Sequence, residues 1–160
     1  MTRRGAGLAA LLALVAVSVA PPASALSCMA ADVTQDFANA AASPDNWVVV
    51  EGALDFDPAL APPPAADGQG RPASFEARFS GMALAGAGFI QPFDRPVTVR
   101  LTCSAHWCGS VTPGRYLAFL KQEAHGYALI VGPCPTFLHR DPTEAQKATV
   151  ASCFAKGGCD

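Results

Sequence analysis

Between Pro96 and Cys134 the chain carries three strand-like runs in close succession, and any fold has to be built around them. Val97, Val99 and Leu101 alternate with Thr98, Arg100 and Thr102, the period-two pattern of a strand with one buried face. Arg115 to Leu120 and Tyr127 to Val131 are nearly continuous apolar runs, rich in aromatic and branched residues. Runs apolar on both faces predict strands covered from both sides. Glu123-Ala124-His125-Gly126 separates them, and its glycine marks a tight hairpin. Cys103, Cys108 and Cys134 fall at the margins of these runs, where crosslinks would brace strand ends.

With Cys28, Cys153 and Cys159 the cysteine count is even, and every cysteine lies beyond an N-terminal segment that reads as a secretory leader. Arg3 and Arg4 give that segment a positive start. Leu8 to Ala20 is apolar but too short to span a bilayer comfortably, and Pro21-Pro22 breaks it. Residues 1–25 are therefore read as a signal peptide cleaved after Ala23-Ser24-Ala25, leaving residues 26–160 as one domain. Cleavage after Ala25-Leu26-Ser27, directly before Cys28, is the second site that satisfies the small-x-small rule.

Export and an even count point to three disulfides rather than free thiols. Zinc is disfavoured because there is no Cys-x-x-Cys pair and the histidines are not spaced as partners. Cys153 can reach back to Cys159 across Gly157-Gly158. Lipid anchoring through Cys28 is the rival localisation, since Leu26-Ser27-Cys28 faintly resembles a lipobox. Ala25 stands where leucine is usual, however, and lipidation would leave one cysteine unpaired.

The mean hydropathy of +0.25 is raised by the leader, and no second segment is long and apolar enough to span a membrane. Losing Arg3 and Arg4 takes the formal charge from −2 to −4. A mildly acidic chain without a Lys/Arg cluster lacks the phosphate-neutralising surface that nucleic-acid binding needs.

Along the chain, Met29, Val33 and Phe37 fall at four-residue steps and predict a short helix near 30–41, stopped at Ser43-Pro44. Strands are expected near 47–56, 74–84, 96–103, 115–122 and 126–132, with a bulge or bend at Gly52. Asp57 to Pro72 is too rich in proline and glycine for a packed element, and Gly86, Gly88, Pro92 and Pro96 punctuate a second connection. A second helix is expected near 142–155, with Asp141 as N-cap, Pro142 at the first position and Glu144 closing a capping box.

No HExxH, P-loop, GxGxxG or GxSxG motif is present, and no cofactor or metal is implied. Ser110 reads as an ordinary loop serine. Asp55 and Asp57 form a carboxylate pair of the kind that is usually solvated. His125 and His139 fall in expected loops without evident partners. His106 beside Trp107, in the Cys103–Cys108 loop, is the most site-like pair, although a tryptophan capping the end of a β-core is the plainer explanation. A spacing of four residues with no following helix argues against a redox role for these two cysteines.

The order of elements resembles the netrin-like module of tissue inhibitors of metalloproteinases and their bacterial relatives. The resemblance covers about Cys28 to Cys134. It rests on a cysteine ahead of a short helix, a first strand VVVEGAL (Val48 to Leu54), Cys108-Gly109, Gly114-Arg115-Tyr116-Leu117, and a strand from Tyr127 closed by Cys134. It implies a mainly β (α+β) fold: a five-stranded OB-type barrel with a short N-terminal helix and a C-terminal helical extension.

In inhibitory members the mature chain starts Cys-x-Cys, and its terminal amine and carbonyl chelate the protease zinc. Here Cys28 stands alone, and a chain starting at Leu26 places the amine two residues away. The family bonds its N-terminal pair to the Cys-Gly cysteine and to the later strand cysteine. With Cys103 at hand for Cys108, the resemblance leaves Cys28 for Cys134 and Cys153 for Cys159. The expected function is an exported, monomeric, non-enzymatic binding module for a protein or peptide, using Cys28, His106 and Trp107. A small periplasmic enzyme with its site around the His106–Trp107 loop is the alternative.

Overall fold

The computed structural model describes residues 27–62, 70–86, 88–134 and 136–159; the expected leader and Leu26 lie outside the described residues. The fold is mainly β. Its strands are β1 (Trp47–Asp55), β2 (Ala73–Ala85), β3 (Gly88–Leu101), β4 (Cys103–Ser104), β5 (Trp107–Cys108), β6 (Gly114–Glu123), β7 (Gly126–Val131) and β8 (Leu138–Arg140). Helix α1 (Val33–Ala42) precedes them and α2 (Glu144–Lys156) follows. Among the described residues there are thus eight strands rather than five. The five expected runs all form, and the additions β4, β5 and β8 are too short to leave a readable period in a sequence.

Pairing runs β1–β2–β3–β7–β6 and returns from β6 to β1, a closed ring in which only β3 and β7 are parallel. β1 takes one edge of β6. The other edge is shared, by β7 at Lys121–Glu123 and by β8 at Tyr116–Ala118. No register shift occurs at Gly52, where a bend was expected. Gly52 faces Gly81 across β1 and β2, and a Cβ at Gly52 would lie 2.2 Å from the Ser80 carbonyl oxygen. The glycine allows close backbone approach instead. The shift falls between Ala83 and Leu84.

The apolar run of β6 is explained by two cores. Tyr116, Ala118 and Leu120 point into the ring with Val50, Leu54, Phe79, Val97, Val99 and Leu129. Leu117 and Phe119, on the opposite face, pack with Val33 and Phe37 of α1 and Val150 of α2. Alternation is still present, but both faces are buried.

The connection expected over residues 86–96 is instead the first half of β3. Among the described residues that half pairs with β2 alone, because β7 joins only from Val97 onward. Pro92 and Pro96 therefore cost no second ladder, and on a free edge they also discourage strand addition.

Helix α1 starts later than its apolar spacing suggested. Asp32 caps it, accepting from Thr34 N–H at 2.8 Å, and Met29 is left outside and 86% exposed. Ser43 ends it in extended conformation before Pro44. Helix α2 is capped by Thr143 and Gln146, two residues beyond the expected Asp141–Glu144 box. Asp141 adopts a left-handed φ of 46°, outside the extended range of an N-cap, so Pro142 precedes the cap rather than opening the helix. Gly157, at φ 73°, ends α2. Among the described residues no helix is long and apolar enough to cross a membrane.

Candidate functional site

The Cys103–Cys108 loop is a miniature hairpin. β4 and β5 pair Cys103 with Cys108 and Ser104 with Trp107, leaving Ala105-His106 as the turn, and a disulfide joins the first pair. Ala105 has φ 52°, an uncommon conformation for a residue with a Cβ, which the surroundings must hold in place. Two features do so. The Gly70 N–H donates to the His106 carbonyl oxygen at 3.2 Å, and a Cβ at Gly70 would lie 2.6 Å from Cys108 Sγ, so this backbone rests directly on the disulfide. At the hairpin's base, Gly109 N–H donates to Thr102 O, and Thr102 N–H to Val131 O, tying it to the ends of β3 and β7.

Beside this hairpin lies a cavity of about 440 Å³, within the range of sites for small ligands or single side chains. Phe56, Pro58, Trp107, Val111 and Pro113 give it apolar walls, and Arg71, His106, Ser110 and Thr112 add polar groups. Its lining includes no Asp or Glu among the described residues. Trp107 is 44% exposed, and His106 is exposed beside it. The far wall is fixed by Tyr116, whose hydroxyl donates to Thr112 O at 2.8 Å, and by Arg140, which donates to the Thr112 and Tyr116 hydroxyl oxygens.

Of the sequence candidates, the structure brings His106 and Trp107 together at this cavity. Cys28 is bonded to Cys134, just past the end of β7, so it lies at the same end of the ring but outside the lining. Phe56, Arg71 and Val111 were not singled out from the sequence. They come from three separate segments, and no local motif joins them. Ser110, read as an ordinary loop serine, lines the cavity as well.

The three disulfides differ in what they can do. Cys28–Cys134 spans 106 residues, for which chain entropy gives about 4.7 kcal/mol. Cys103–Cys108 and Cys153–Cys159 span 5 and 6 residues, giving only about 2 kcal/mol each. The hairpin disulfide is therefore mainly a local brace for the loop that carries His106 and Trp107.

A second constellation was missed. His139 is not in an unpartnered loop but on β8, with Nε2 2.8 Å from Asp36 Oδ2 on α1. The same oxygen accepts the Phe137 N–H at 2.7 Å, and Phe137, at φ 61°, stacks on Trp47 with ring centroids 4.7 Å apart. Asp36 is 3% exposed and His139 4%, so no substrate reaches them. They form a structural knot between α1 and β8. This is the one histidine–carboxylate pair among the described residues, and His106 takes no part in it. Asp57 caps a 3-10 turn (Pro58–Leu60) through Ala59 N–H, and no group of three or more potential metal ligands is assembled among the described residues.

No family model, curated protein or solved structure matches the chain. The reading of the site rests on its geometry.

Proposed function

We propose that the protein is an exported, non-enzymatic binding module of the netrin-like, TIMP-like kind, acting as a monomer on a protein or peptide in the cell envelope or outside the cell. One observation carries this reading: a half-exposed Trp107 on a disulfide-braced hairpin at the mouth of an apolar cavity. Aromatic anchors beside a preformed pocket are the usual centres of binding energy. The five-strand ring, with β3 and β7 parallel and β6 returning to β1, supports an OB-type barrel, a five-stranded Greek-key scaffold that presents its loops to ligands. Three disulfides support export. The test is capture of partners from the native envelope fraction by the oxidised protein and by Trp107→Ala. The reading expects a partner that the variant loses.

Zinc-protease inhibition of the family's kind needs a free α-amine on the cysteine itself. Protein beginning at Leu26 carries two residues past that point, and they would collide with a protease zinc site. Assayed against a panel of zinc proteases, the Leu26 form is expected to give no potent inhibition, whereas a form beginning at Cys28 has the amine in place and is the one able to give weak inhibition. Tight inhibition by the Leu26 form would show a binding mode different from the family's.

A further inference from the structure

We propose that the cavity beside the His106–Trp107 hairpin recognises the C-terminal residue of a peptide chain, taking an apolar side chain and the terminal carboxylate together. The inference rests on the binding-module reading and adds the chemistry of the ligand. Phe56, Val111 and Trp107 offer apolar and aromatic surface, and about 440 Å³ accommodates one large side chain with the backbone that bears it. Arg71 and His106 line the same space, and no described lining residue is acidic. Arg71 is the one permanently charged group among the described lining residues, and in a chain of net charge −2 a guanidinium there favours an anion. A guanidinium suits a carboxylate in particular, because its planar fork can donate two parallel bonds.

A chain terminus supplies both halves of that requirement on one residue, and it agrees with a protein or peptide partner. The hairpin is preformed for such a ligand. Ala105 is held left-handed, Cys103–Cys108 closes the hairpin, and Gly70 lies against the disulfide, so little ordering remains to be done on binding.

The test uses the full oxidised chain and four probes: Ala-Ala-Phe with a free carboxylate, the same peptide as its C-terminal amide, Ala-Ala-Ala with a free carboxylate, and free 3-phenylpropionate. Binding is read by calorimetry and by tryptophan fluorescence. The free-acid Phe peptide is expected to bind best, with the amide about tenfold or more weaker, the usual size of a charge-assisted hydrogen bond. Arg71→Gln is expected to bring the acid-to-amide ratio close to one without moving the melting temperature, and Trp107→Ala to remove binding of both. Equal binding of acid and amide overturns the proposal, as does an unchanged ratio in Arg71→Gln. Phenylpropionate binding as tightly as the peptide overturns the choice of a chain end. If all four probes fail while envelope capture remains dependent on Trp107, the chain-end inference falls and the binding-module reading stands.

Discussion

His139 and His106 occupy opposite surroundings. His139 sits 2.8 Å from Asp36 beneath α1, and both residues are buried. His106 stands exposed on a two-residue turn, at a cavity whose described lining holds no carboxylate. The region with the side-chain pair of an acid–base site has no access, and the region with access has no such pair among the described residues. Chemical identity alone would have picked the wrong one. A buried His–Asp pair with a backbone N–H on the same oxygen joins two elements, whereas an exposed imidazole beside a half-exposed indole offers a surface.

The largest expected effect tests the buried side of this contrast. Asp36→Ala removes the acceptor of both the His139 and the Phe137 bonds, leaving the His139 donor buried and the Phe137 N–H part-buried without a partner. It should cost about 3 kcal/mol, read by urea unfolding. Asp36→Asn should cost less, because an amide oxygen can still accept from Phe137 N–H. Ligand binding by the folded fraction should be unchanged. An Asp36→Ala protein of normal stability that no longer binds its partner would place the functional site at the knot instead.

Opening the hairpin should give the reverse pattern. Cys103→Ser with Cys108→Ser loses about 2 kcal/mol of stability by chain entropy, less than Asp36→Ala. Binding through Trp107 should nevertheless be lost, because the left-handed Ala105 and the Gly70 backbone are no longer braced. Stability and binding are measured on the same sample. Full binding by the double variant would mean that the turn holds its shape without the crosslink.

How much of this could be read beforehand differs between the two regions. The hairpin was visible because its cysteines, His106 and Trp107 lie within six residues of sequence. The knot was not, because Asp36 and His139 are 103 residues apart and β8 has only three residues. The cavity walls were hidden for the same reason, with Phe56, Arg71 and Val111 meeting only after the ring closes. The start of α2 was misplaced for a local reason. Asp141–Glu144 and Thr143–Gln146 both satisfy the capping-box spacing, and the φ of Asp141 decides between them. Pro92 and Pro96 suggest breaks because proline interrupts a central strand, but only pairing shows that this half of β3 has no second strand beside it among the described residues.

The smallest expected effect is electrostatic and also separates the two regions. Asp32, the cap of the helix that carries Asp36, is held below the ordinary aspartate value of 3.8, first by hydrogen bonds from the Thr34 and Gln35 backbone N–H groups. Glu123 is held below its ordinary 4.5, first by its hydrogen bond to Arg100. A carboxylate with a depressed native pKa binds protons more readily in the unfolded chain than in the folded one. Its contribution is therefore complete above the ordinary carboxylate range and is lost as pH falls through the lower native value. Thermal unfolding between pH 7 and pH 3 should show stability declining at the acid end. Asp32→Asn, which keeps a capping oxygen but cannot titrate, should flatten part of that decline. The cavity lining has no such carboxylate among its described residues, so Asp32→Asn should leave peptide binding at neutral pH unchanged. A wild type whose stability rises on acidification would show that the depressed carboxylates do not govern this range.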